Sequence, residues 1–173
     1  MTAGIGHRIY ASQMPISHND LLAAPALAYF ADLAVDVGTP QVLGHGPRGI
    51  RRVVPIHGGT ARGEGWTARV LPGGSDFQWI VSDTLSELDA RYGLETDAGD
   101  LIYVQNRALR AAPAETMARL LRGEAVDPSQ IYFRCQPSFE THSPTLRWTT
   151  ERMFVGAGMR HPEQVVMRFF ALT

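Results

Sequence analysis

Only one cysteine, Cys135, occurs among the 173 residues. A lone thiol forms no internal disulfide and excludes every zinc pattern built on several cysteines, so the fold needs no oxidising compartment. A basic excess is also lacking. The net charge is -1, which leaves no electrostatic footprint for a phosphate backbone, and nucleic acid is not an expected partner. The one local basic cluster, Arg48, Arg51 and Arg52, reads as a solvated strand end. No apolar run is long enough to span a bilayer, and the stretch from Met1 to Ala24 holds no signal-peptide core. No membrane partner is therefore expected, and the cytoplasm is the expected location. The histidines, at positions 7, 18, 45, 57, 142 and 161, include no pair at the i, i+2 or i, i+4 spacing of a local metal site, so no metal is expected. Ser-His-Asp signatures, a P-loop and GxGxxG are all missing. The glycine-rich run GGTARGEG leads from one strand to another and offers phosphate no helix N-terminus. No cofactor is expected.

What is present is the composition of a globular domain. Hydrophobic residues make up 45% and charged residues 19%, and the length suits one domain that buries a real core. Residues 1–25 are polar, Gly/Pro-broken and aperiodic, and read as an N-terminal extension; residues 26–173 read as the domain. Period-two alternation begins in Leu27–Val37, where Asp32 and Asp36 fall on the face away from Leu33, Val35 and Val37. Gly44, Gly46, Pro47 and Gly49 mark a turn region. Further strands are expected over Ile50–His57, Gly65–Leu71, Asp76–Ser82, Leu88–Thr96, Leu101–Leu109, Gln130–Gln136, Leu146–Gly156 and Gln164–Leu172. One helix is expected over Pro113–Arg122, opened by a proline and an acidic first turn and carrying the apolar stripe Met117, Leu120 and Leu121. With no βαβ rhythm, the pattern predicts an all-β fold: an antiparallel up-and-down barrel of about eight to ten strands with one short helix over an end or flank. Val35, Trp66, Val70, Tyr92, Leu94, Val104 and Phe133 are expected inside.

Local geometry is sharpest in the hairpin around Asp97-Ala98-Gly99. A three-residue loop pairs Thr96 with Asp100, Glu95 with Leu101 and Leu94 with Ile102. Tyr92, Leu94, Thr96, Ile102, Val104 and Asn106 then share the interior face, and Glu95 faces water.

The runs RRVVPIHGG, VLPGGSDFQW, LDARYGLETDAGDLIYVQNR and GEAVDPSQIYFRCQPSFET, with the later RW and FVGAG, resemble the domain-of-unknown-function family 3237, also called uncharacterised protein family 0311. The resemblance runs from about Leu27 to the C-terminus. It implies an up-and-down antiparallel barrel similar in shape to lipocalin-like barrels, and it implies no activity. Leu146, His142 and Thr150 depart from the tyrosine, glycine and asparagine usual at those places.

Several polar residues are candidates for chemistry. Asn106, pointing inward, is either a satisfied core amide or a ligand contact. Arg134, between Phe133 and Cys135, calls for a carboxylate, with Glu140 and Asp76 as candidates. It forms either a structural ion pair or a site for a substrate carboxylate or enolate. Asp76 and Glu140 lie beside turns, where either could be a general base if partly buried; turn capping is the alternative for Asp76. Trp79 and Trp148 are core packing or a ligand-stacking wall, and Tyr92 is a polar group that points into the barrel. Cys135 is expected to be an inert buried thiol.

Together, Asp76, Glu140 and Arg134 as catalytic groups, with Trp79, Tyr92, Asn106 and Trp148 as ligand contacts, are expected to converge on one cavity near a barrel end. The leading reading is a cofactor-independent acid/base enzyme of lyase, isomerase or cyclase type on a small apolar or aromatic molecule. A non-catalytic carrier or sensor is the second reading. A packed barrel acting through an oligomer interface is the third. A homodimer is expected because Phe169 and Phe170 cannot both point inward.

Overall fold

The computed structural model describes residues 24–173, so the expected N-terminal extension lies outside the described residues apart from its last two positions. The strands are β1 Leu27–Val37, β2 Gln41–Gly46, β3 Gly49–Gly63, β4 Trp66–Val70, β5 Ser75–Ile80, β6 Leu85–Thr96, β7 Leu101–Ala111, β8 Tyr132–Thr141, β9 Phe154–Arg160 and β10 Gln164–Leu172; helix α1, Ala114–Leu121, follows β7. Every pairing is antiparallel. Strand β1 pairs with both β10 and β3, which closes the sheet. β4 and β5 lie end to end between β3 and β6, so they share one place in the circuit, and β2 is an appended hairpin arm. Among the described residues the result is the expected barrel, with eight strand places and one α-helix.

The hairpin register is as derived: Glu95 pairs with Leu101 and Leu94 with Ile102, and Gly99 adopts the positive φ of 86° that the loop requires. Three local expectations are corrected. The glycine-marked turn region contains strand β2, because Gln41–Gly46 finds backbone partners on β3. β3 continues through Gly58-Gly59, where the absence of a side chain on Gly59 lets β1 approach. The span expected as the strand Leu146–Gly156 begins as a short 3-10 turn, Arg147–Glu151, before β9.

Val35, Val70, Tyr92, Leu94, Val104 and Phe133 are buried, and Trp66 packs partly buried against them. The ends of the barrel are filled differently. Toward the start of β1 and β9, Phe30, Phe139 and Phe154 pack with centroids 4.9–5.2 Å apart, at the separation edge-on and tilted rings favour. At the other end α1 lays its buried Met117 and Leu120 against the barrel, and Ser86 donates to the Met117 sulfur at 3.9 Å. Phe169 points fully inward, while Phe170 is half-buried on the outer face.

Candidate functional site

The pleat places a polar row across the inner wall between these two ends. Residues opposite one another on successive strands are Val54, Asp76, Ala90 and Asn106. The small Ala90 side chain leaves Asp76 and Asn106 facing the same space, with Tyr92 next along β6 on that face. One step toward α1 the row is Arg52, Gln78, Leu88 and Ala108, and one step further it is Ile50, Ile80, Ser86 and Arg110. Asp76, Gln78, Tyr92, Asn106, Arg110 and Arg160 thus line a single cavity of about 40 Å³, walled on its other sides by aliphatic residues and Phe133.

The polar groups in this cavity are incompletely paired. Gln78 Nε2 donates to Asp76 Oδ2, Arg52 Nε donates to Gln78 Oε1 at 2.7 Å, and Asn106 Nδ2 contacts the Met167 sulfur at 3.2 Å. Among the described residues, five sealed atoms have no partner: Asp76 Oδ1, Tyr92 OH, Asn106 Oδ1, and Nε and Nη2 of Arg110. An unpaired buried polar atom costs about 1–3 kcal/mol, and several on residues around one void form a cluster that a ligand or water would satisfy after small side-chain adjustments.

Electrostatics follow from burial. The Asp76 carboxyl is raised above the usual carboxylate value chiefly by desolvation, which outweighs the Gln78 hydrogen bond and the fields of Arg110 and Arg52. Desolvation also lowers Arg110 to about 10, with the neighbouring Arg52 adding to the effect. Arg52 and Arg160 are lowered for the same first reason. Tyr92 is pushed far up by burial, so its hydroxyl stays protonated and able to donate.

The expected convergence of all seven candidates is corrected. Asp76, Tyr92 and Asn106 meet at the cavity; the other four lie elsewhere. Arg134 and Glu140 share the outward face of β8, six positions apart, or roughly 20 Å along an extended strand. Among the described residues Arg134 finds no carboxylate; it donates to the Phe133 carbonyl at 3.0 Å and sits 5.2 Å over the Tyr132 ring. Trp79 is on the outer wall beneath Arg51, 4.5 Å from the guanidinium. Trp148 belongs to the 3-10 turn, 43% exposed, and packs on Phe30 and Phe154 at the end away from Arg110. The reading of Arg52 as solvated is corrected too, since it points inward to Gln78. Arg110 and Arg160 were missed. Arg110 is signalled by extending the inward series Ile102, Val104, Asn106 to Ala108 and Arg110.

Cys135 is buried, and burial pushes its thiol up to about 12. At pH 8 only about one thiol in ten thousand would be ionised at that value. Iodoacetamide is therefore expected to label the native chain at least a hundredfold more slowly than the guanidinium-unfolded chain. Comparable rates, read by mass spectrometry, would show an accessible thiol. Among the described residues no group of three or more His, Cys, Asp or Glu is placed to hold a metal ion, and no helix is long and apolar enough to cross a membrane.

Comparison with known proteins gives a consistent kinship. Residues 25–172 match the family described as "Protein of unknown function (DUF3237)". A UPF0311 protein of Rhodopseudomonas palustris, RPA1785, is 43% identical over 139 residues, covering 80% of this chain and 91% of the relative. The crystal structure of RPA1785, described as a conserved protein of unknown function, superposes with a TM-score of 0.83 at 39% identity, over 88% of this chain and 100% of that one. A "beta-barrel like protein" from Acinetobacter baumannii has a TM-score of 0.78 at 36% identity, covering 89% and 99% of the two chains. More distantly, an enzyme from Penicillium herquei shares the fold, with a TM-score of 0.65 at 16% identity over 88% of this chain and 98% of that one.

Proposed function

The chain belongs to the DUF3237 family, and we propose that it is a small-molecule-binding barrel whose site is the cavity of Asp76, Tyr92, Asn106 and Arg110. The observation that carries this reading is the set of five unpaired, sealed polar atoms, all belonging to residues that line one cavity. A structural network of the same residues would be expected to satisfy its own members, since each failure is costly. Cofactor-independent acid/base chemistry fits the same groups. Asp76, raised by burial, is the proton acceptor or donor; Tyr92, held protonated, donates to a developing oxyanion; Arg110 stabilises the charge. A non-catalytic carrier would use the same cavity without needing a raised carboxyl, so Asp76 separates the two readings.

Met167 provides the test, because its sulfur lies in the cavity wall against Asn106. In a chain labelled with methyl-13C methionine, members of a fragment set of charged and neutral compounds are expected to shift the Met167 methyl and leave exposed Met153 and Met159 in place. A screen in which no fragment moves Met167 would reject the lumen as a binding site. Carbon-13 titration of the Asp76 carboxyl is expected to give a value above 3.8, the ordinary value. An ordinary or lower value would leave binding without the proposed proton transfer.

A further inference from the structure

We propose that Arg52, Arg110 and Arg160 form an anion subsite at the α1 end of the cavity, and that it holds the carboxylate of a small amphipathic monocarboxylic acid. This rests on the reading of the lumen as a ligand site and names the class of molecule that enters it. Three guanidiniums here share the field of one buried carboxylate, Asp76, while Asp36 and Glu163 line the outer cleft beside them. Among the described residues none of the three forms an ion pair within 4.0 Å. Arg52 spends its Nε on the neutral Gln78 amide, Arg160 reaches only the Gln164 carbonyl at 3.4 Å, and Arg110, 2% exposed, keeps Nε and Nη2 unpaired. A buried cation needs a counter-charge, and a forked guanidinium matches a carboxylate with two parallel hydrogen bonds.

The shape of the space selects an organic acid. Arg110 and Arg160 line both the inner cavity and a surface cleft of about 830 Å³, so they form the neck between the two. The inner void, about 40 Å³, has room for a headgroup or one or two waters, not for a ring. The cleft offers Pro40, Val42, Leu120 and Leu121 as apolar wall. A carboxylate at the neck therefore leaves its aliphatic chain against that wall, while Asp76 disfavours a dianion.

The probes are butyrate, hexanoate and octanoate, each paired with its neutral amide, and inorganic phosphate, all read on the Met167 methyl. The acids are expected to bind saturably and at least tenfold more tightly than their amides. Arg110→Met and Arg160→Gln are each expected to weaken the acids by about ten- to a hundredfold, the span of one charge-assisted hydrogen bond, and to weaken the amides by less, because a neutral carbonyl forms the weaker hydrogen bond. Arg160 is half-exposed at the neck, so its variant keeps the test alive if Arg110→Met does not fold. Equal binding of acids and amides would overturn the anion subsite while the lumen reading stands. Phosphate binding tighter than every acid would overturn the organic-acid class. Silence from every probe at Met167 would overturn the subsite, and a neutral fragment from the wider screen still moving that methyl would show that the lumen reading survives it.

Discussion

Replacing Gly59 with valine is expected to cost the chain about 2–6 kcal/mol, through backbone strain and overpacking that each contribute about 1–3 kcal/mol. Gly59 adopts φ +130°, and a Cβ there would stand 2.1 Å from the Ala34 carbonyl oxygen and 3.0 Å from the Val35 Cα. Both neighbours are backbone, so no rotamer change relieves the contact. Gly59 is also paired with Val35 in the β1–β3 ladder that closes the barrel. Val35, Val37 and Ile56 on these strands wall the cavity, so the strain is expected to reach the site as well as the fold. Urea denaturation measures the loss, and the Met167 methyl reports the cavity. The matched control is Gly65→Val. Gly65 has φ +74° with nothing within 4 Å, so it carries strain without the collision. Equal losses for the two variants would show that positive φ alone, and not closure of the barrel, sets the penalty.

The alternation that located the strands also assigns the lining of the cavity, and the misplaced residues show where it was not followed. On β8, Phe133, Cys135, Pro137 and Phe139 are the buried series. Arg134 and Glu140 share the opposite parity, so the strand itself placed both outside. Reading Arg134 by its two apolar neighbours mistook adjacency for a shared face. On β7 the same rule leads from Asn106 to Arg110, but ending the strand at Leu109 hid the charge, because an arginine near a strand end normally reads as solvated. β5 misled for a different reason. Its polar residues Asp76 and Gln78 point into the barrel, while Phe77 and Trp79 lie outside beneath Arg51. Hydrophobicity assigns the core face only where the core is apolar, and this stretch of the lumen is polar. The position of Trp148 had no period to reveal it, because it sits in a 3-10 turn held by hydrogen bonds such as Thr149 Oγ1 to the Leu146 carbonyl. The three candidates that do meet at the cavity, Asp76, Tyr92 and Asn106, are held there by strand register. The missed third dimension is how rows from β3, β5, β7 and β9 meet across the lumen, which no single hairpin contains.

The double variant Asp76→Asn/Arg110→Met is expected to stabilise the unliganded chain, by about 1–4 kcal/mol, the gain seen when buried ionic groups give way to neutral or apolar ones of similar size. Arg110 is buried with two donors unpaired, and Asp76 carries an unpaired sealed oxygen. Methionine fills much of the arginine volume without those donors. The amide introduced at position 76 can still accept from Gln78 Nε2, the bond Asp76 Oδ2 accepts now. Arg52 and Arg160 are less buried than Arg110, so water can solvate them after the change. The pH dependence has a definite sign. Because burial raises Asp76 above its unfolded value, the folded chain binds a proton there more readily than the unfolded chain does. The penalty for its charge is therefore full above the raised value and falls away as pH drops through it. The advantage of the single variant Asp76→Asn over the native chain is accordingly expected to be largest near pH 8 and to shrink toward pH 4. Asp32 and Asp89, lowered in the folded chain, are common to both proteins and cancel in the difference. Urea unfolding of the native chain and the variants across that range measures both effects. A site kept for binding is held at the expense of stability, so a stabilised variant that has lost its Met167 response supports that role. A double variant destabilised by several kcal/mol would instead identify Asp76 and Arg110 as a structural network that holds β5 and β7 in place.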